Sequence, residues 1–162
     1  MRHVTHWRAA LVTALAVATL AHGAARAAMP EEAISVTFLG IRATKETSEH
    51  VDPALRPIAD ELRRSKYNCF RLAINDTRSV ALGRTWELPL VEDYAVRIQP
   101  NKETDESVQL VLSWIHYEKG KDGKRKPRAL LKVPMTLRKG KYLLSGGWKL
   151  KEGGLMGAVA VK

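Results

Sequence analysis

The C-terminal stretch RKGKYLLSGGWKLKEGGLMGAVAVK, Arg138 to Lys162, sets paired glycines among lysines. That is the composition of a loop that wraps a phosphate with backbone N–H groups. A Walker loop requires four residues between its glycines, then Lys and Ser or Thr, then a helix. Gly140 and Gly146 have five residues between them, and Gly147 stands where the lysine belongs. Gly147 and Gly153 repeat the mismatch, with Gly154 following. In the final LMGAVAVK, Leu155, Gly157, Val159 and Val161 alternate. That is the period of a strand, not of the helix whose N-terminus would hold an anion. KG at 139–140 and KEGG at 151–154 are therefore expected to be hairpin turns.

The remaining reactive residues form no complete constellation. Ser145 in LLSGG lacks the G-x-S-x-G of a nucleophile elbow. Cys69 and His116 would make a thiol–imidazole dyad only if the fold joined them, and no spacing does so. Cys69 is the single cysteine, so it is a buried inert thiol or a bridge between chains. Past Ala27 only His50 and His116 remain, and a zinc site takes about four ligands. Glu103, Asp105 and Glu106 do not follow a calcium-loop spacing. Glu87 and Glu92 would act as a carboxylate pair only if brought together. No catalytic residue, metal ligand or cofactor is expected, and the chain is not expected to be an enzyme.

Two features could bind a partner. KGKDGKRKPR carries Lys119, Lys121, Lys124, Arg125, Lys126 and Arg128 against Asp122 alone. Such a run either grips a polyanion or is a solvated tip that keeps strand edges apart. No aromatic is interleaved with it, so stacking on single-stranded nucleic acid has no support. Trp148, between Gly147 and Lys149, is either a partner-facing anchor or a half-buried strand residue.

The elements that must position these residues are mostly strands. Ile34, Val36 and Phe38 alternate, and Gly40 marks a bulge after which Leu39 and Ile41 take the opposite parity. VDPALRPIADELRRS is the one amphipathic helix, with Asp52 as cap and Leu55, Ile58, Ala59 and Leu62 on one face. Pro57 removes a donor near its start, so a kink is expected there. Phe70, Leu72 and Ile74 then alternate, and Asn75-Asp76-Thr77 is expected to turn the chain. Further strands follow around Trp86–Leu90, Tyr94–Ile98, Val108–Trp114 and Ala129–Leu137. The last carries Pro134, which places it at a sheet edge or turns that position's amide outward. The basic run lies between the last two and is expected to be a hairpin tip. The fold class is α+β, mostly β: a small antiparallel β-sandwich or curled sheet of about seven strands with one amphipathic helix.

The first segment reads as an address. Arg2 and Arg8 precede the apolar run AALVTALAVATLA, and Ala25-Arg26-Ala27 supplies a cleavage site. Residues 1–27 are expected to be a signal peptide and 28–162 a single β-rich domain. Loss of Arg2, Arg8 and Arg26 takes the formal charge of +10 to +7. The product is expected to be periplasmic or secreted.

Four segments carry a resemblance: VDPALRPIADELRRSKYNCFRL, LPLVEDYAVRIQP, LLKVPMTLRKGKYLLSGG and GLMGAVAV. Together they resemble small exported bacterial proteins of unassigned function, over about Val51 to Val161. Met135 to Gly147 also resembles the glycine-paired strands of the secretin channel domain, with Ser145 and Trp148 departing from that pattern. The resemblance implies a cell-envelope setting and brings no catalytic residue. The expected function is that of an exported non-enzymatic accessory protein acting by protein–protein contact, without a cofactor and with an envelope protein as partner. The alternative is an anionic-surface binder of lipopolysaccharide, lipid or nucleic acid that uses the basic hairpin 119–128.

Overall fold

The computed structural model describes residues 32–162; the expected signal peptide, residues 1–27, lies outside the described residues. Among the described residues, nine strands form two sheets. β1 (Ala33–Thr44), β2 (His50–Val51), β3 (Cys69–Ala81), β8 (Tyr142–Lys149) and β9 (Gly154–Val161) make the first, in the order β2-β3-β1-β9-β8. β4 (Trp86–Pro89), β5 (Tyr94–Glu103), β6 (Ser107–Lys119) and β7 (Arg125–Arg138) make the second, in the order β4-β5-β6-β7. All pairings are antiparallel except β2 with β3. The expected class, a mostly β α+β sandwich, is what the chain adopts. The strand number rises to nine because the two-residue β2 and β8 join the seven expected strands.

The helical segment is shorter than its periodicity implies. Pro53–Ile58 is a 3₁₀ helix, and Ala59–Arg63 is one α-helical turn and a little more, α1. Pro57, inside the first piece, has no N–H to donate, so the i→i−4 ladder starts only beyond it. Asp52 caps as expected: its Oδ1 accepts from the Ala54 N–H at 2.9 Å. Leu55, Ile58 and Leu62 are buried on one face, each contributing about 1.5–3 kcal/mol by leaving water.

The bulge at Gly40 is present, but β1 does not change parity. The extra residue is in β3, where Gly40 pairs Ile74 and Ile41 pairs Leu72, leaving Ala73 over. Ile34, Val36 and Phe38 face the second sheet, while Leu39, Ile41 and Ala43 face the helical segment. The two faces of one strand are simply covered at different places. The expected turn at Asn75-Asp76-Thr77 is absent: β3 runs through it, paired with Leu39, Phe38 and Thr37. Turn propensity is local, and a full-length antiparallel partner overrides it. The Thr37 and Thr77 hydroxyls share a 2.9 Å hydrogen bond across that pair.

β9 is buried along its whole length, flanked by β1 and β8. Leu155, Val159 and Val161 join the inter-sheet core, while Met156 and Ala158 join the core under the helical segment. Its glycines make room. A Cβ on Gly157 would lie 2.4 Å from Phe38 Cζ and 2.9 Å from Trp114 Cζ2. On β8, Gly146 (φ 107°) would bring a Cβ to 3.0 Å from Trp114 Cζ2. Trp114 of β6 sits in this notch, edge-on to Phe38 at 6.0 Å between centroids. Its Nε1–H donates to Ser145 Oγ at 3.1 Å. Gly146 and Gly157 thus admit an aromatic ring, as a sheet-building role requires. Ser145→Ala leaves the Trp114 N–H without its acceptor. The expected cost is about 1–3 kcal/mol, measured by urea unfolding; an unchanged midpoint would show that Ser145 holds nothing.

Candidate functional site

The basic run is a hairpin tip only in part. β6 ends at Lys119 and β7 starts at Arg125, its direct partner. The turn is closed by the Gly120 N–H to Lys124 O at 2.8 Å and the Gly123 N–H to Gly120 O at 3.0 Å. Arg125, Lys126 and Arg128 therefore belong to a strand, and each has a carboxylate. Arg125 pairs with Asp93, Lys126 with Asp122 at 3.5 Å, and Arg128 with Glu118 at 2.9 Å. Lys119, Lys121 and Lys124 have no ion pair among the described residues. Half of the run's charge is thus answered within the fold. The three remaining lysines are solvent-facing.

Asp93 belongs to a turn that clamps the two sheets. Glu92 (φ 51°) and Asp93 (φ 65°) both take the left-handed region without being glycine, which costs energy unless neighbours hold it. They are held. Glu92 accepts the Lys151 N–H at 2.8 Å and pairs with Arg42 at 3.5 Å. Asp93 O accepts the Tyr117 N–H at 2.8 Å. Tyr94 Oη then donates to Lys149 O at 2.9 Å, and its ring lies 4.7 Å from that of His116. Every one of these contacts joins parts of the chain to one another, so this corner is a structural clamp.

Glu87 is bound elsewhere, so the carboxylate pair with Glu92 does not form. It accepts hydrogen bonds from Tyr117 Oη and, at 2.5 Å, from Arg97 Nε. The Tyr117 hydroxyl first, and Arg97 second, hold its carboxyl below the usual range. The same bond pushes the Tyr117 hydroxyl up. The other candidates are also apart. Cys69 lies on β3 of one sheet and His116 on β6 of the other. Cys69 is fully buried, which leaves it no route to a second chain. Its cross-strand neighbours are Thr44 on β1 and His50 on β2. Glu103 pairs with Lys139. Among the described residues no group of His, Cys, Asp and Glu is arranged to hold a metal.

The surface that stands out is the flank where β7 and β8 end their sheets. Each has an unpaired edge. They are consecutive, joined by Lys139–Lys141 with Gly140 at φ 74°. The expected hairpin at 139–140 is instead a corner from one sheet to the other, whereas 151–154 does close the β8–β9 hairpin. On β7, Leu137, Met135, Val133 and Leu131 pair with the core residues Val108, Leu110, Leu112 and Trp114, and so share their inward face. Cover is lost along that row: Leu137 is 4% exposed and Leu131 is 37% exposed. On β8, Leu143 pairs with the core residue Val159 yet is 40% exposed. Leu131 and Leu143 are the two large apolar residues left exposed among the described residues.

Trp148 is in β8 on this same flank, half-buried, its ring 6.0 Å from that of Trp114. The half-buried strand residue is the alternative that the geometry matches. Its Nε1 is buried without a hydrogen-bond partner among the described residues. Alternation over Ala129–Leu137 places Leu131 on the core-facing side, and Leu143 received no assignment from the sequence. Their exposure was not legible, because it depends on which strands end the sheets. No family model, no curated protein and no solved structure matches the chain.

The Glu87 environment sets a pH dependence. Its folded carboxyl titrates below the unfolded one, so its contribution to stability is present above the ordinary glutamate range. That contribution is lost as the pH falls through the lowered folded value. Tyr117→Phe removes the leading cause. Carboxyl-detected NMR should then find Glu87 titrating higher than in the parent protein; an unmoved titration would contradict the assignment.

Proposed function

We propose that this protein is an exported, non-enzymatic binding or accessory domain of the bacterial cell envelope, periplasmic or secreted, that acts by protein–protein contact. The observation that carries this reading is the pair of neighbouring edge strands whose inward-facing Leu131 and Leu143 lack cover. Apolar side chains on a core-facing parity are usually covered, and two left open along one flank support a contact surface there. Pro127 and Pro134 cannot donate from β7, so that edge offers no continuous ladder. Contact here runs through side chains, with the Tyr142–Ser145 backbone of β8 as the one proline-free edge. On the resemblance of Met135 to Gly147 to secretin channel strands, the partner belongs to a secretion or surface-assembly system.

The anionic-surface reading is weaker on one specific ground. Arg125, Lys126 and Arg128 already have carboxylate partners, and a polyanion would have to displace them. Photo-crosslinking in cells separates the two. A photoreactive residue at Leu131 or Leu143 should capture the same species, and one at Glu61, on the exposed face of the helical segment, should not. Capture should persist in a Lys124→Glu, Arg125→Glu, Lys126→Glu variant and at high salt, where polyanion binding collapses. No capture at either leucine, or its loss on charge reversal, would defeat the contact reading.

A further inference from the structure

The outer face of the second sheet carries a hollow that is separate from Leu131 and Leu143 and from the free lysines of the basic run. Strand register builds it. Glu87 of β4, Arg97 of β5, Ser113 of β6 and Lys132 of β7 are direct cross-strand neighbours, so they form one row across all four strands. Residues paired in this way share a face, with Cβ atoms about 4.5–5.5 Å apart. The adjoining row holds Ala95, Ile115 and Ala129. Ile115 is 2% exposed yet belongs to neither core. It is the floor of a hollow of about 330 Å³, whose walls include Arg97, Val111, Ser113, Pro127, Ala129 and Lys132.

The polar row is arranged to receive an anion. Glu87 takes the Arg97 Nε–H at 2.5 Å and so fixes the plane of the guanidinium, with the Tyr117 hydroxyl also against it; a guanidinium has five N–H donors, which leaves some for a further acceptor. The Ser113 hydroxyl has no hydrogen-bond partner, and the Lys132 ammonium no ion pair, among the described residues. Two cations stand against one carboxylate, so a single negative charge balances the row. The apolar row beside it suits a hydrocarbon body. The volume is that of a small-molecule site, which falls in the range of about 300–1,000 Å³, and it is too small for a folded partner.

We propose that this hollow binds a small carboxylate-headed amphiphile, its carboxylate held by Arg97, Ser113 and Lys132 and its apolar body resting on Ile115, Ala129 and Pro127. The site uses the outer face of β7, opposite the face that carries Leu131, and stands whether or not the β7–β8 flank contacts a protein. The test is a titration of the isotope-labelled full chain with octanoate, octanol and inorganic phosphate, followed by amide NMR shifts. Octanoate should give saturable shifts clustered on residues 97, 113, 115, 129 and 132. Octanol lacks the charge and phosphate lacks the chain, so each should bind at least about tenfold more weakly. Lys132→Glu should weaken octanoate by about tenfold or more, with shifts elsewhere unchanged because Lys132 is exposed on an edge strand. Lys124→Glu at the tip should leave octanoate binding as it was. Unsaturable or scattered octanoate shifts, equal binding of octanol or phosphate, or full binding by Lys132→Glu would overturn the proposal.

Discussion

The fold depends on one close approach: the rings of Phe38 and Trp114 over the bare backbone of Gly157. Three strands meet there. Phe38 comes from β1, Trp114 from β6 in the opposite sheet, and Gly157 from β9. No side chain larger than hydrogen fits at Gly157 without displacing a fully buried ring. The indole is then fixed in direction by Ser145 on β8. A large ring seated in a notch determines the spacing between sheets at that point, because interiors are packed at crystal-like density and do not yield smoothly.

Several features follow from that contact. β9 can lie between two cores because its side chains toward the rings are small or absent where the rings sit. Its other face is then free to take the helical segment through Met156 and Ala158. The first sheet is thus covered on both sides, and the short helix needs only Leu55, Ile58 and Leu62 to seal the second core. The Glu92–Asp93 turn, pinned by Arg42, Lys151 and Tyr117, closes one end of the sandwich. What the arrangement leaves open is the β7–β8 flank, where the inward rows run past the last covering strand. The contact function is proposed there for that reason, and the anion hollow lies on a separate face of the same scaffold.

Much of this was legible in the residues. Period-two alternation located most of the strands, and the spacing of the glycines in the last 25 residues excluded a phosphate loop. Asp52 as cap, Pro134 on an edge and a buried Cys69 each followed from local chemistry. The failures share a cause. Asn75-Asp76-Thr77 has turn chemistry but lies opposite β1, and pairing decides. Pro57 was a visible obstacle, yet the retreat to a 3₁₀ segment depends on packing beneath it. The exposure of Leu131 and Leu143, the pairing of Arg125 with Asp93, and the Glu87–Arg97–Ser113–Lys132 row all depend on strand order and register. Those are set by contacts between residues far apart in the chain, which no local pattern encodes.

The most direct test of the ring-over-glycine constraint is a double-mutant cycle between Gly157→Ala and Phe38→Leu, read by urea unfolding. If Gly157 is bare to admit the ring, the added methyl should cost about 1–3 kcal/mol in the parent chain. It should cost less by about 1 kcal/mol or more once Phe38 is trimmed to leucine. Additivity of the two changes to within about 0.5 kcal/mol would mean that the ring and the glycine do not constrain each other, and would contradict the account.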